Sequence, residues 1–127
     1  MTNEVSSFIQ RDDTAKKMIE FADKLALAIK DVSTSQIRNA YGTVKKLEMQ
    51  TDFTEKSYRE LLLLKPKLAY ARGRTESKKR DTFKLLEDAL SQAIDAVEVK
   101  DRETFKRFCN FFEAILAYHK VYSTSTK

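Results

Sequence analysis

The residues best suited to chemistry lie between positions 65 and 80, in the segment KPKLAYARGRTESKKR. It holds seven of the chain's 24 cations (Lys65, Lys67, Arg72, Arg74, Lys78, Lys79 and Arg80) and one of its 19 acids, Glu76. The segment's net charge is +6 and the whole chain's is +5, so the other 111 residues together carry −1. The positive charge is concentrated rather than spread as a solubilising coat. Tyr70 stands among these cations, with the only proline, Pro66, and one of the two glycines, Gly73. Lys and Arg interleaved with an aromatic ring suit a phosphate backbone with exposed bases or sugars. The same residues also suit a solvated helix end, where cations interact favourably with the helix dipole. Charge alone leaves both readings open.

The parts for most catalysis are missing. There is one histidine, His119, and one cysteine, Cys109, ten residues apart. Zinc takes about four ligands at tight spacing, so no zinc site is expected from this chain alone. His119 continues an apolar stripe and reads as a packed or hydrogen-bonded helix-end residue, and Cys109 as a small core residue among phenylalanines. Neither GxxxxGK[ST] nor GxGxxG occurs, so no nucleotide cofactor is expected. Glu113, between Phe112 and Ala114, either points out of the fold or is tied to an Arg or Tyr of another helix.

The elements that must position these residues are helices. Two glycines and one proline in 127 residues are too few turn formers for a sandwich or barrel. The 3.6-residue period gives five helices in an all-α, mostly antiparallel, single-domain bundle. The first runs from about Thr14 to Lys30, capped by Asp12 or Asp13. The second opens at Ser33, whose spacing from Gln36 fits a capping box, and carries Ile37, Ala40, Tyr41, Val44 and Leu47 on one face. Gly42 lies inside it, marking a loosened turn or a close approach of another backbone. The third starts near Thr54, with a kink or break at Pro66, and ends with Gly73 in the left-handed cap conformation. The fourth spans about Lys78 to Val97. The fifth, capped by Asp101, runs to about Tyr122 and is apolar around most of its girth. Such a helix is central in the bundle or partly covered by a second chain. Residues 1–12 and 123–127 are expected to be loose. No apolar run is long enough to span a membrane, and the single cysteine suits a reducing, cytoplasmic compartment.

Three blocks in order carry a resemblance: TSQIRNAYGTVKKLE (34–48), LLLLKPKLAYARGR (61–74) and FKRFCNFFEAILAYHKVY (105–122). Together they cover 47 of 127 residues. The set resembles the small subunit of type III-A CRISPR effector complexes, the Csm complexes. The resemblance implies an all-helical, non-catalytic subunit present in several copies, stacked along the guide RNA beside other Csm subunits. It would line the groove where target RNA pairs with guide RNA. In that family, cleavage and cyclic-oligoadenylate chemistry belong to other subunits. Carried onto this chain, the resemblance assigns RNA contact to Arg38, Lys45, Lys46, Lys65, Lys67, Arg72 and Arg74. The rest of the basic segment adds Lys78 and Lys79. Tyr70, Gly73, Phe111, Glu113 and Tyr118 are read as structural or as subunit contacts. Gly42 and Pro66 depart from the pattern, and nothing before Asp31 matches it. The alternatives are a helical protein–protein adaptor without nucleic-acid binding, or the equivalent small subunit of a type III-B complex. The apolar surplus of the last helix, with the stacking of copies, implies a weak homodimer in isolation.

Overall fold

The computed structural model describes residues 4–124, which form seven α-helices and one 3₁₀ turn, with no strand among them. These are α1 Glu4–Gln10, α2 Ala15–Ala28, α3 Thr34–Glu48, α4 Glu55–Leu62, α5 Leu64–Arg74, the turn Ser77–Lys79, α6 Arg80–Ala96 and α7 Arg102–Thr124. The all-α expectation holds and the count of five does not. One expected helix is two, and a stretch expected to be loose is a helix. The tail call on 123–127 lies partly outside the described residues, since Ser123 and Thr124 end α7.

The division follows from Pro66. Its ring crowds the carbonyl four residues back, at Leu62, and its nitrogen has no hydrogen to donate there. The chain therefore ends α4 at Leu62 and turns at half-exposed Leu63. It then restarts α5 at Leu64, so that Pro66 falls in a first turn, where amides lack helical partners anyway. Of the kink or break expected, the structure has a break, three residues ahead of the proline. Gly73 is not a left-handed cap: no glycine has positive φ, and α5 ends instead at extended Thr75. Side chains satisfy the last carbonyls of α5. Thr75 Oγ1 donates to Ala71 O at 2.8 Å, and Arg80 donates to Thr75 O at 2.9 Å and to Gly73 O at 3.0 Å.

At the other starts, Thr54 and Ser57 form a reciprocal capping box on α4, and Asp101 accepts from Glu103 N and Thr104 N on α7. Ser33 accepts from Gln36 N at 3.3 Å, but the Gln36 side chain does not return to Ser33. It donates across to Ala71 O at 3.3 Å and fastens α3 to α5. The expected caps of α2 are otherwise engaged: Asp13 pairs with Arg11 and Asp12 with Arg107, and Thr14 precedes the helix with no side-chain cap bond. Gly42 interrupts nothing. α3 is continuous through it, and a Cβ there would meet no atom within 4 Å.

α7 is the central rod, packed by α2, α3, α1 and α6. On one side Phe105 stacks on Phe53 at 4.4 Å, and the series continues through Phe108 and Phe112 to Tyr41. On the other, Phe111 meets Phe8 of α1 at 5.8 Å and Phe21 of α2 at 6.0 Å. α1 buries Val5, Phe8 and Ile9, and Arg107 of α7 donates to its Ile9 carbonyl at 2.6 Å. The apolar girth of α7 is thus covered within the chain by a helix the sequence reading left as a loose end. α5 lies between α3 and α6.

Candidate nucleic-acid interface

The two flanks of α5 sort the basic segment. A spacing of seven residues is close to two helical turns, so Lys65 and Arg72 share one flank. That flank meets α6, where Lys65 pairs with Asp95 and Arg72 with Glu87. The Arg72–Glu87 pair is partly shielded, with about 13 % of the Glu87 side chain accessible, whereas the Lys65–Asp95 pair is exposed. These two cations tie helices together and are committed to this chain. Arg80 is committed as well, to the carbonyls that end α5. The α5–α6 crossing thus brings a carboxylate to each of Lys65 and Arg72, two of the cations expected to face phosphates.

The opposite flank carries Lys67, Tyr70 and Arg74, spaced three and four residues apart. All three are exposed. Neither Lys67 nor Arg74 makes an ion pair among the described residues, and the Arg74 guanidinium lies over the Tyr70 ring, 5.8 Å from its centroid. With Gln36, Asn39 and Thr43 of α3, these residues line a groove of about 190 Å³ floored by Leu64 and Leu68. Past Arg74 the surface continues into a second cleft of about 280 Å³, with Lys79 and Ser33 as well as Asp31 and Glu76 on its walls. Lys78 and Lys79 in the 3₁₀ turn are exposed. Arg38, Lys45 and Lys46 occupy the solvent face of α3 around Gly42, and Lys45 reaches Glu48 at 3.4 Å.

The remaining candidates fall elsewhere. Phe111 is fully buried, and Tyr118 is half-buried against the core. Glu113 is exposed; its charge adds to burial in holding the Tyr41 phenol above its ordinary range. Cys109 is enclosed, and burial pushes its thiol up to about 12, so it stays protonated. His119 is fully buried, with Nε2 at 3.0 Å from the Val32 carbonyl, which makes Nε2 the protonated nitrogen of the neutral ring. Burial lowers its pKa, and the Val32 carbonyl opposes that shift in part. No group of three His, Cys, Asp or Glu residues among those described is arranged to hold a metal ion, and no helix is long and apolar enough to cross a membrane.

Comparison with known proteins places this architecture. The Csm2 Type III-A family model matches residues 12–125. The chain belongs to the Csm2 family. A Streptococcus thermophilus protein described as CRISPR system Cms protein Csm2 is 33 % identical over 115 residues, covering 87 % of this chain and 88 % of that one. No solved structure matches. Membership makes the chain a Csm small subunit of the III-A type, in preference to the III-B alternative. The Csm2 match takes in α2, where no motif had been found, and leaves α1 outside it. The groove residues of α3, Gln36, Asn39 and Thr43, were missed by reasoning from charge, because uncharged amides and hydroxyls carry no signal until a second helix lies beside them. Of the two readings of the last helix, central in the bundle or partly covered by a second chain, its aromatic residues Phe105, Phe108, Phe111 and Phe112 follow the first, being buried within this chain.

Proposed function

We propose that this Csm2-family chain is a non-catalytic subunit that holds the target RNA–guide RNA duplex through phosphate contacts within the type III-A complex, beside other Csm subunits and copies of itself. The observation that supports this reading is the separation of cations on α5. Those facing α6 are paired within the chain, while Lys67, Arg74 and Lys79 line one edge without an ion pair among the described residues, with Asp31 and Glu76 as the acids on the second cleft, Lys78 beside them, and Arg38 and Lys46 on the neighbouring helix. An A-form duplex presents a deep, narrow major groove that side chains cannot read, so a subunit in this position needs to hold backbone and leave sequence to base pairing. Nothing in the groove requires a catalytic group.

Titration of the isolated chain with single-stranded RNA at several salt concentrations tests this. With about five phosphate contacts, log affinity falls against log salt with a slope near −3.5, about a hundredfold loss between 50 and 200 mM. The double variant Lys67→Ala/Arg74→Ala flattens the slope by about 1.4 and leaves melting nearly unchanged, because exposed changes are usually within about 0.5 kcal/mol. Arg72→Ala does the converse: it strands the Glu87 carboxylate, lowers the melting temperature and keeps the slope. A wild-type slope near zero would reject direct phosphate contact.

A further inference from the structure

We propose that the groove between α3 and α5 receives one unpaired nucleobase of the bound RNA, stacked on Tyr70, with Lys67 and Arg74 taking the phosphates on either side. This rests on the RNA-holding reading above and adds a mode of contact that phosphate binding does not require. Tyr70 is 68 % exposed, second only to Met49 among the large apolar and aromatic side chains of the described residues. A tyrosine used for packing is buried over most of its ring, and this one is not. It stands between two exposed cations on one flank of α5, with the Arg74 guanidinium 5.8 Å from one face of its ring, which leaves the other face open to a base. The groove's volume, about 190 Å³, is below the roughly 300 Å³ of pockets that enclose a whole drug-sized ligand. It suits one planar ring entering from a strand whose backbone stays outside. Its floor is apolar, from Leu64 and Leu68. On its wall the Asn39 amide makes no hydrogen bond among the described residues, whereas Gln36 is already bound to Ala71 and Thr75. A carboxamide with its N–H donors and carbonyl acceptor unused within the chain, beside an aromatic platform and two flanking cations, forms the combination that recognises an unstacked base in single-stranded RNA.

The test uses the full chain and a short single-stranded RNA carrying one 2-aminopurine. Stacking in the groove quenches the 2-aminopurine on binding. Tyr70→Ala abolishes that quench and weakens affinity by about 5- to 150-fold, the equivalent of one base–aromatic stack. Tyr70→Phe, which keeps the ring, restores most of the loss. Melting curves confirm that both variants stay folded. Wild-type RNA binding with an unchanged affinity and quench in Tyr70→Ala would overturn the groove proposal and leave the phosphate reading standing. No RNA binding by the wild type at any salt concentration would overturn both. Displacement of RNA by micromolar adenosine monophosphate would show a free-nucleotide site rather than a strand-borne base, and would also overturn it. So would a Tyr70→Ala chain that binds RNA normally but no longer joins the other Csm subunits, which would mark the surface as a protein contact.

Discussion

At the scale of single residues, the groups most able to do chemistry have been put out of use by burial. Cys109, with its thiol raised to about 12, offers no thiolate at neutral pH. His119 is held neutral by enclosure, and that has a consequence for stability. Its folded pKa lies below the 6.5 of an exposed imidazole. Above 6.5 the ring is neutral in both states and contributes no pH dependence. Between 6.5 and the depressed folded value, the unfolded chain binds a proton that the folded chain does not, so stability falls as pH falls. Below the folded value both states are protonated and the contribution is flat again. The slope within the window is at most about 1.4 kcal/mol per pH unit for one group. Thermal melts from pH 7.5 to 5.5 should show this loss in the wild type. His119→Asn, less stable at pH 7.5 for its altered packing, should lose less over the same range. A parallel decline in both proteins would remove His119 as its source.

At the scale of elements, the longer helices were legible because each carries an apolar stripe over three or more turns, and their boundaries were legible where a short side chain caps the start. Ser33, Thr54 and Asp101 act as their positions suggest. What was not legible depends on what lies across from a residue. The side chain of Gln36 has the spacing to close its own capping box, yet a free carbonyl on α5 takes it. Lys65 and Arg72 read as phosphate ligands until α6 brings Asp95 and Glu87 against them, although their seven-residue spacing already placed both on one flank, away from Lys67 and Arg74. Gly42 shows the opposite case, a position where neighbours impose nothing. It lies in an uninterrupted helix, is exposed, and has open space where a Cβ would sit. Gly42→Ala should therefore stabilise the chain by about 0.5–1 kcal/mol, through helix propensity and a less flexible unfolded state. Denaturant unfolding with an unchanged m-value would measure it. A loss of stability would mean that α3 needs the glycine's flexibility, contrary to its regular geometry.

At the scale of the whole molecule, the decisive element is the shortest helix. α1 has seven residues, too few to be stable alone, and two turns carry too little periodicity to announce a helix. It exists because α6 and α7 hold it. Gln10 donates to the Ala96 carbonyl at the end of α6, Arg107 closes the end of α1, and Val5, Phe8 and Ile9 are buried where α1 packs on α6 and α7, with Phe8 against Phe111. This changes the expectation for self-association. The weak homodimer is expected from the apolar surplus of α7 together with the stacking of copies; α1 covers the part of that surplus around Phe111, while Leu116, Tyr118 and Tyr122 stay partly exposed. Burial of three such side chains is worth about 1.5–3 kcal/mol each, an upper bound for a chain that is partly collapsed when unfolded. A domain of this size has about 5–15 kcal/mol in all. A chain lacking residues 1–12 should therefore sit near the limit of stability with Phe111 and Phe21 uncovered, and should self-associate or precipitate. Phe8→Ala, a milder form of the same loss, should cost about 3–5 kcal/mol. Sedimentation of the full and shortened chains at equal concentration, with melting of the Phe8 variant, checks both. A shortened chain that stays monomeric and melts like the full one would mean that α1 covers nothing the fold needs, and the aromatic face of α7 would again be a candidate contact between copies.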